Sequence, residues 1–356
     1  MRAAVTTQSG IVLRELDVPV PDAGQVLVRT LACGICGSDL HAAADLAHFV
    51  ELTERAGAPG GLDPARGAVF GHEFSAEIVE YGPGATRALP LGTTVCSVPI
   101  LFGAGGVEGI GYSSAVHGGL AEFMLLQEMF LVPVPAGLGP ETAALTEPLA
   151  VGEHAVNLAG VTAGDVCLVI GCGPVGLAVI TALKARGHGP IVAVDFSPTR
   201  RRIAEAFGAD EVIDPAETSP YDSWGALGVP ATLMERAAAE MFGGDSRDAV
   251  IFEAVGSPGV LQTIIDGAPP KARIVVVGVC MQTDRIEPFF AVTKELEVRF
   301  SFGYSPAEFS ATLDRLGRGE IPTADFVTDV VSLDGAAGAF AALASPGEHG
   351  KMIVRH

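Results

Sequence analysis

The sequence predicts an α/β protein of two domains: a doubly wound parallel sheet and a second domain that is mostly β at its start. Three observations carry this. An apolar run at 166–170 leads into Gly171-Cys-Gly173-Pro-Val-Gly176, then an apolar stretch of helical length and a second apolar run at 191–194. After that unit, helix and strand patterns alternate to about residue 302, as in a doubly wound sheet. At 356 residues the chain is also too long for one ordinary core.

Composition narrows the function classes. Hydrophobic residues make up 49% of the chain and the mean hydropathy is +0.41, as in a well-buried globular protein. The 45 glycines and 24 prolines form no repeat. A net charge of −20 argues against nucleic-acid partners and anionic membranes. The N-terminal stretch has no apolar segment of the signal-peptide kind, and the six cysteines do not form a disulfide framework, so a reducing cytoplasm is the expected setting.

Residues 1–32 alternate like short antiparallel strands, broken by Pro19, Pro21 and Gly24. The next nine residues hold Cys33, Cys36, Ser38, Asp39 and His41, and Gly71-His72-Glu73 follows after an interval. Cys36, His72 and Glu73 are suitable zinc ligands: a soft thiolate, an imidazole and a carboxylate. Cys33-x-x-Cys36 alone also reads as a redox pair or half of a structural zinc site. A buried, non-ligating Cys33 is the favoured assignment.

Each part of the glycine segment has a physical task. Gly171 allows a tight turn, Gly173 lets the backbone approach a pyrophosphate, and Gly176 lets helix and strand pack closely. The helix N-terminus at Pro174 and Val175 offers free N–H groups to phosphate. Asp195, at the end of the second strand, suits an adenosine ribose diol and repels a 2′-phosphate, which favours NAD over NADP. Arg200, Arg201 and Arg202 read as an exposed first helical turn, with Arg200 near the adenosine. A glycine turn in an ordinary β-α-β unit is the bland alternative. The charge-free run between Asp165 and Lys184 has near-spanning length, but its Gly-Cys-Gly-Pro interruption fits a strand-turn-helix better than a membrane span.

G-I-C-G-S-D-L-H, then G-H-E, then Gly118-Gly-Leu-Ala121-Glu122, then Glu147-Pro148, then the glycine fingerprint, in that order, resembles the zinc-dependent medium-chain alcohol dehydrogenase family. The sorbitol-type polyol dehydrogenases are the nearest branch. The resemblance spans nearly the whole chain. It implies a Rossmann domain for NAD and a GroES-like catalytic domain, with the active site in the cleft between them. The expected boundaries are 1–148 for the first part of the catalytic domain, 149–299 for the NAD domain and 300–356 for the return segment.

Carried over position by position, Cys36 and His72 bind one catalytic zinc, and Glu73 binds it or sits just behind it. Glu147 holds the zinc-bound water or completes the shell. Ser38 passes on the alcohol proton, His41 is the outer end of that relay, and Asp39 fixes a ligand. Val277, Gly278 and Val279 end a strand at the cofactor edge of the sheet, and Ser301 and Phe302 lie on the strand that approaches the nicotinamide. The neighbourhood of that strand implies a homodimer or homotetramer.

Three departures qualify the resemblance. Residues 96–117 hold only Cys96, so a structural zinc is not expected, and His117 reads as a loop histidine. Cys36 and His72 stand 36 residues apart, longer than usual, and the extra segment 42–67 carries Leu46, Phe49, Val50 and Leu52 at the spacing of a short amphipathic helix, which either borders the pocket or is a surface excursion that touches nothing. Where polyol enzymes have aromatics after the first motif and an arginine in a late Phe-Arg-Tyr segment, this chain has Ala42 to Ala44 and Phe302-Gly303-Tyr304. Without that guanidinium, a hydroxyl-rich substrate loses hydrogen bonds. The expected reaction is therefore NAD-dependent oxidation of a secondary, rather apolar or cyclic alcohol to a ketone, or its reverse. A polyol or amino-alcohol substrate is the alternative within the family. A zinc-less structural or regulatory relative is the alternative outside it.

Overall fold

A computed structural model describes residues 1–57, 61–103, 106–243, 245–344 and 349–356. The chain divides into two compact units, Met1–Pro148 with Pro306–His356, and Leu149–Ser305. The second unit thus runs a few residues past 299. Ser301 N–H donates to the Val276 carbonyl at 2.8 Å, which ties the chain to the sheet just beyond its edge strand.

The first unit is built on a mostly antiparallel sheet whose central strand is Gln25–Gly34. Glu73–Tyr81 pairs on one side of it, with Gly34 opposite Glu73 and Cys33 opposite Phe74. Lys351–Arg355 pairs on the other side, with Ile353 opposite Gly34. The last strand of the chain is therefore knitted to an early one. These strands are buried along most of their length and feed one apolar core that includes Val26, Val28, Phe70, Phe74, Ile78, Leu126 and Val354.

Asp45 starts the helix Leu46–Ala56 by accepting the His48 N–H at 3.0 Å, and Gly57 ends it in the left-handed region at φ +63°. Leu46 and Val50 are buried, and each contributes roughly 1.5–3 kcal/mol of apolar burial. The amphipathic helix expected in the extra segment is therefore present. Residues 58–60 of that segment lie outside the described residues.

The second unit is a six-stranded parallel sheet in the order Glu211–Ile213, Ile191–Val194, Val166–Ile170, Ala249–Glu253, Arg273–Val276, Glu297–Phe300. Counted along the chain this is 3-2-1-4-5-6, the doubly wound arrangement of dinucleotide-binding domains. Val166–Ile170 is central, which explains its unbroken apolar sequence. The following helix, Pro174–Ala185, buries every residue from Gly176 to Leu183, so its lack of charge reflects packing against the sheet. Among the described residues no helix is long and apolar enough to cross a membrane.

Candidate active site

The register of the first unit's sheet assembles one cluster. Cys36 follows the end of the central strand, and His72 precedes the strand whose Glu73 faces Gly34. Lys351 begins the strand on the other side, two residues before Ile353, which also faces Gly34. Residues far apart in sequence therefore meet at one end of the sheet. Metal-ligating atoms of Cys36, His72 and Glu73 all lie within 4.8 Å of one another. Cys36 is half-buried, while His72 and Glu73 are buried.

Asp39 orients two of these residues. Its Oδ2 accepts the Cys36 backbone N–H at 3.1 Å, and its Oδ1 lies 3.4 Å from His72 Nδ1. Asp39 is itself fully buried. Burial is the largest single influence and opposes a charged His72, but the Asp39 carboxylate and then Cys36 together outweigh it and hold the imidazole well above its ordinary pKa. A carboxylate behind a ligating histidine fixes the ring and raises its basicity.

Glu73 is held from behind. Lys351 Nζ donates to both of its carboxylate oxygens, at 2.6 and 2.7 Å, and to the Ile35 carbonyl at 3.0 Å. Lys351 is 1% exposed. Burial works against its charge, but Glu73 and then Cys36 raise its pKa, and Glu147 adds to the effect. Glu147 is buried at the start of the helix Thr146–Ala159, outside the three-residue cluster. Gly34 makes room for the pair, since a Cβ there would lie 2.1 Å from Glu73 Oε2.

Ser38 lies in the first turn of the helix Gly37–Ala44, and His41 one turn on is exposed. Ser38 Oγ accepts the Tyr112 hydroxyl at 2.7 Å. The Tyr112 ring lies 5.1 Å from the His72 ring and 5.4 Å from Phe49, which belongs to the helix in the extra segment. Cys33 is fully buried, and burial lifts its thiol well above the ordinary range. It stands outside the cluster, with its sulfur packed toward Gly71 and Gly119.

In the second unit, the glycine turn is tight and close-packed. Gly171 takes φ +95°, and a Cβ on Gly176 would lie 1.8 Å from the Gly171 carbonyl oxygen. A Cβ on Gly173 would meet nothing within 4 Å, so this N-cap faces open space at the helix start, with Pro174 and Val175 forming the first turn. Burial pushes the adjacent Cys172 thiol up to about 12, which leaves it unreactive.

Asp195 is anchored by backbone: Oδ2 accepts the Cys172 N–H and Oδ1 the Ser197 N–H, both at 2.8 Å. Arg200 lies 4.0 Å from this carboxylate. The expectation of an exposed arginine turn is corrected for Arg201, which donates to the Asp195 and Phe196 carbonyls and pairs with Asp214 at 2.9 Å. Its Nη1 is spent on these groups; of the three arginines, Arg202 alone is exposed.

The Val277 and Gly278 N–H groups both donate to the Glu253 carbonyl at the carboxyl edge of the sheet, and Val279 is exposed there. Ser301 follows the edge strand, and Phe302 is 91% exposed.

Comparison with known proteins agrees with both units. Residues 22–136 match the model of the alcohol dehydrogenase GroES-like domain, and residues 174–318 match that of the zinc-binding dehydrogenases. The chain is 33% identical over 359 residues to an (R,R)-butanediol dehydrogenase of Bacillus subtilis, covering 98% of this chain and 97% of that one.

This chain belongs to the zinc-dependent medium-chain alcohol dehydrogenase family.

A probable D-xylulose reductase A of Arthroderma otae is 31% identical over 349 residues, covering 91% of this chain and 89% of that protein. The crystal structure of 2R,3R-butanediol dehydrogenase from Bacillus subtilis superposes with a TM-score of 0.79 at 30% identity, covering 100% of this chain and 99% of that one. The dehydrogenase is accordingly an oxidoreductase of secondary alcohols or polyols that uses zinc and a nicotinamide cofactor. Sequence inspection had not singled out Lys351 or Tyr112. Lys351 carries no local motif, while Tyr112 had one available signal, a lone aromatic among glycines and serines at 109–119.

Proposed function

We propose that this dehydrogenase oxidises a secondary alcohol with an apolar flank to the ketone, reversibly and with NAD, using one catalytic zinc per chain and no structural zinc. The convergence of Cys36, His72 and Glu73 carries the proposal. Thiolate, imidazole and carboxylate form a donor set that suits zinc. Zinc supplies Lewis-acid stabilisation of an alkoxide, and the nicotinamide ring supplies the hydride acceptor.

The chain's own residues do the rest. Cys36 and His72 hold the metal. Asp39 fixes both, through the Cys36 N–H and beside His72 Nδ1. Glu73, clamped by Lys351, is the reserve carboxylate, and Glu147 is its partner in completing the shell. Ser38 takes the substrate hydroxyl proton and passes its own outward, with His41 one helical turn away toward solvent. Gly171, Gly173, Pro174, Val175 and Gly176 cradle the pyrophosphate. Asp195 receives the adenosine ribose and favours NAD, with Arg200 beside it. Val277, Gly278, Val279, Ser301 and Phe302 border the nicotinamide end.

The substrate class is supported by the missing guanidinium in 302–304 and by the Tyr112 ring beside His72, with Phe49 packed against that ring. The butanediol dehydrogenase relatives fit a small secondary alcohol, while the xylulose reductases favour the polyol alternative. Exposed Phe289, Val292, Phe300 and Phe302 around the sheet edge support a homodimer or homotetramer. Cytoplasmic residence accords with six unpaired cysteines.

An NADH-formation screen over 2,3-butanediol, cyclohexanol, sorbitol and threonine tests the assignment. Turnover should be highest for the first two and should vanish on zinc chelation. Preferential sorbitol turnover would overturn the apolar assignment, and chelator-resistant turnover would overturn the zinc mechanism.

A further inference from the structure

A serine hydroxyl that relays a proton has one O–H to give and two lone pairs, and it rotates freely unless a neighbour holds it. At Ser38 the neighbour is Tyr112, whose hydroxyl donates to Oγ at 2.7 Å. That leaves Ser38 with one lone pair for an incoming proton and its own O–H to send on. Tyr112 keeps its proton throughout. The serine oxygen accepts the substrate proton as its own departs, so it begins and ends neutral.

The phenol is itself held on several sides. Gly111, at φ +87°, packs against the backbone of Gly71, where a Cβ would come within 3.1 Å. The tyrosine ring is flanked by His72 at 5.1 Å, Phe49 at 5.4 Å and Phe70 at 5.9 Å, all tilted. Contacts of this kind with three flanking rings favour one rotamer of the phenol. Phe49 comes from the helix Leu46–Ala56, in the extra segment between Cys36 and His72.

We propose that Tyr112 is the positioning residue for Ser38, and that the extra helix, through Phe49, keeps the phenol aimed at the serine hydroxyl. The proposal rests on Ser38 being the relay hydroxyl, and the two are tested together.

Tyr112→Phe, Ser38→Ala and the double variant are compared as zinc-loaded enzymes. The readouts are the single-turnover rate of NADH formation from 2,3-butanediol, its solvent isotope effect, and zinc content. Ser38→Ala should slow the step on the order of a hundredfold, the usual size of a proton-transfer contribution. Tyr112→Phe should slow it roughly five- to tenfold, the loss of one hydrogen bond, and change the isotope effect while zinc content stays at the wild-type level. The double variant should be no slower than Ser38→Ala alone, and Phe49→Ala should slow only enzymes that retain the tyrosine.

A wild-type rate in Ser38→Ala would sink the relay assignment itself. An impaired Ser38→Ala beside an unimpaired Tyr112→Phe would sink only the positioning role. Losses that multiply in the double variant, or zinc lost from Tyr112→Phe, would also overturn it, by making Tyr112 a support for His72 instead.

Discussion

Replacing Lys351 by methionine probes the buried charge pair behind the metal cluster. Both partners are almost wholly inaccessible, with Lys351 at 1% and Glu73 at 0% exposure. Lys351 Nζ satisfies both Glu73 oxygens and the Ile35 carbonyl. The methionine fills similar volume but leaves a carboxylate in the core without its cation. Removing one partner of such a pair costs about 3–5 kcal/mol. At roughly 2–4 °C per kcal/mol for a domain of this size, the unfolding transition should fall by about 6–20 °C. Calorimetry of chelated, zinc-free protein isolates the pair from the metal. The double variant Lys351→Met with Glu73→Leu should recover most of the loss, because two apolar groups in place of a buried pair are close to neutral. A single variant melting within about 2 °C of wild type, or a double variant no better than the single, would refute the clamp.

Other consequences are open to direct measurement. Gly34→Ala would place a Cβ 2.1 Å from Glu73 Oε2, against a carboxylate pinned by Lys351. Lower zinc content and a lower melting temperature are expected, and retention of both would contradict the packing. Gly176→Ala would drive a Cβ to 1.8 Å from the Gly171 carbonyl oxygen and open the phosphate turn. Fluorescence titration should show NADH affinity falling by more than about tenfold, or 1.4 kcal/mol; an unchanged Kd would refute the turn geometry. Asp195→Asn removes the repulsion of a 2′-phosphate while keeping an oxygen for one backbone N–H. The NAD to NADP ratio of kcat/KM should drop by on the order of tenfold, and an unaltered ratio would remove Asp195 from cofactor choice.

Zinc must displace the proton on His72, whose pKa is held above its ordinary value against burial chiefly by Asp39. Zinc affinity of the chelated protein should therefore rise with pH through and beyond about 6.5. Asp39→Asn should shift that rise to lower pH, and competition titrations giving the same profile for both proteins would contradict the coupling.

Local chemistry made most of the fold legible. The central strand of the parallel sheet is buried on both faces, so Val166–Ile170 shows as a continuous apolar run beside its glycine turn. The amphipathic helix after Asp45 carries its own cap and stop in Asp45 and Gly57. Cys36, His72 and Glu73 belong to short motifs and could be proposed together, yet their meeting depends on strand register, with Gly34 opposite Glu73.

Lys351 was hidden for the same reason. It is 278 residues from Glu73 and reaches it only because the final strand pairs beside the central one. Tyr112 lies in a glycine-rich stretch where local pattern sets no side-chain direction. Its placement beside Ser38 and His72 shows only in the folded chain, with Gly111 packed on Gly71. Arg201 misled because a lysine- or arginine-rich first turn is ordinarily solvated. Here two backbone carbonyls and Asp214 draw it inward.

The most direct measurement is the zinc content of purified wild-type and Cys36→Ser protein, read beside NAD-dependent oxidation of 2,3-butanediol by the same samples. One zinc per chain in the wild type, with zinc and turnover both lost in the variant, is the predicted result. A variant that keeps its zinc and its activity would contradict a metal-assisted reaction at Cys36 and His72.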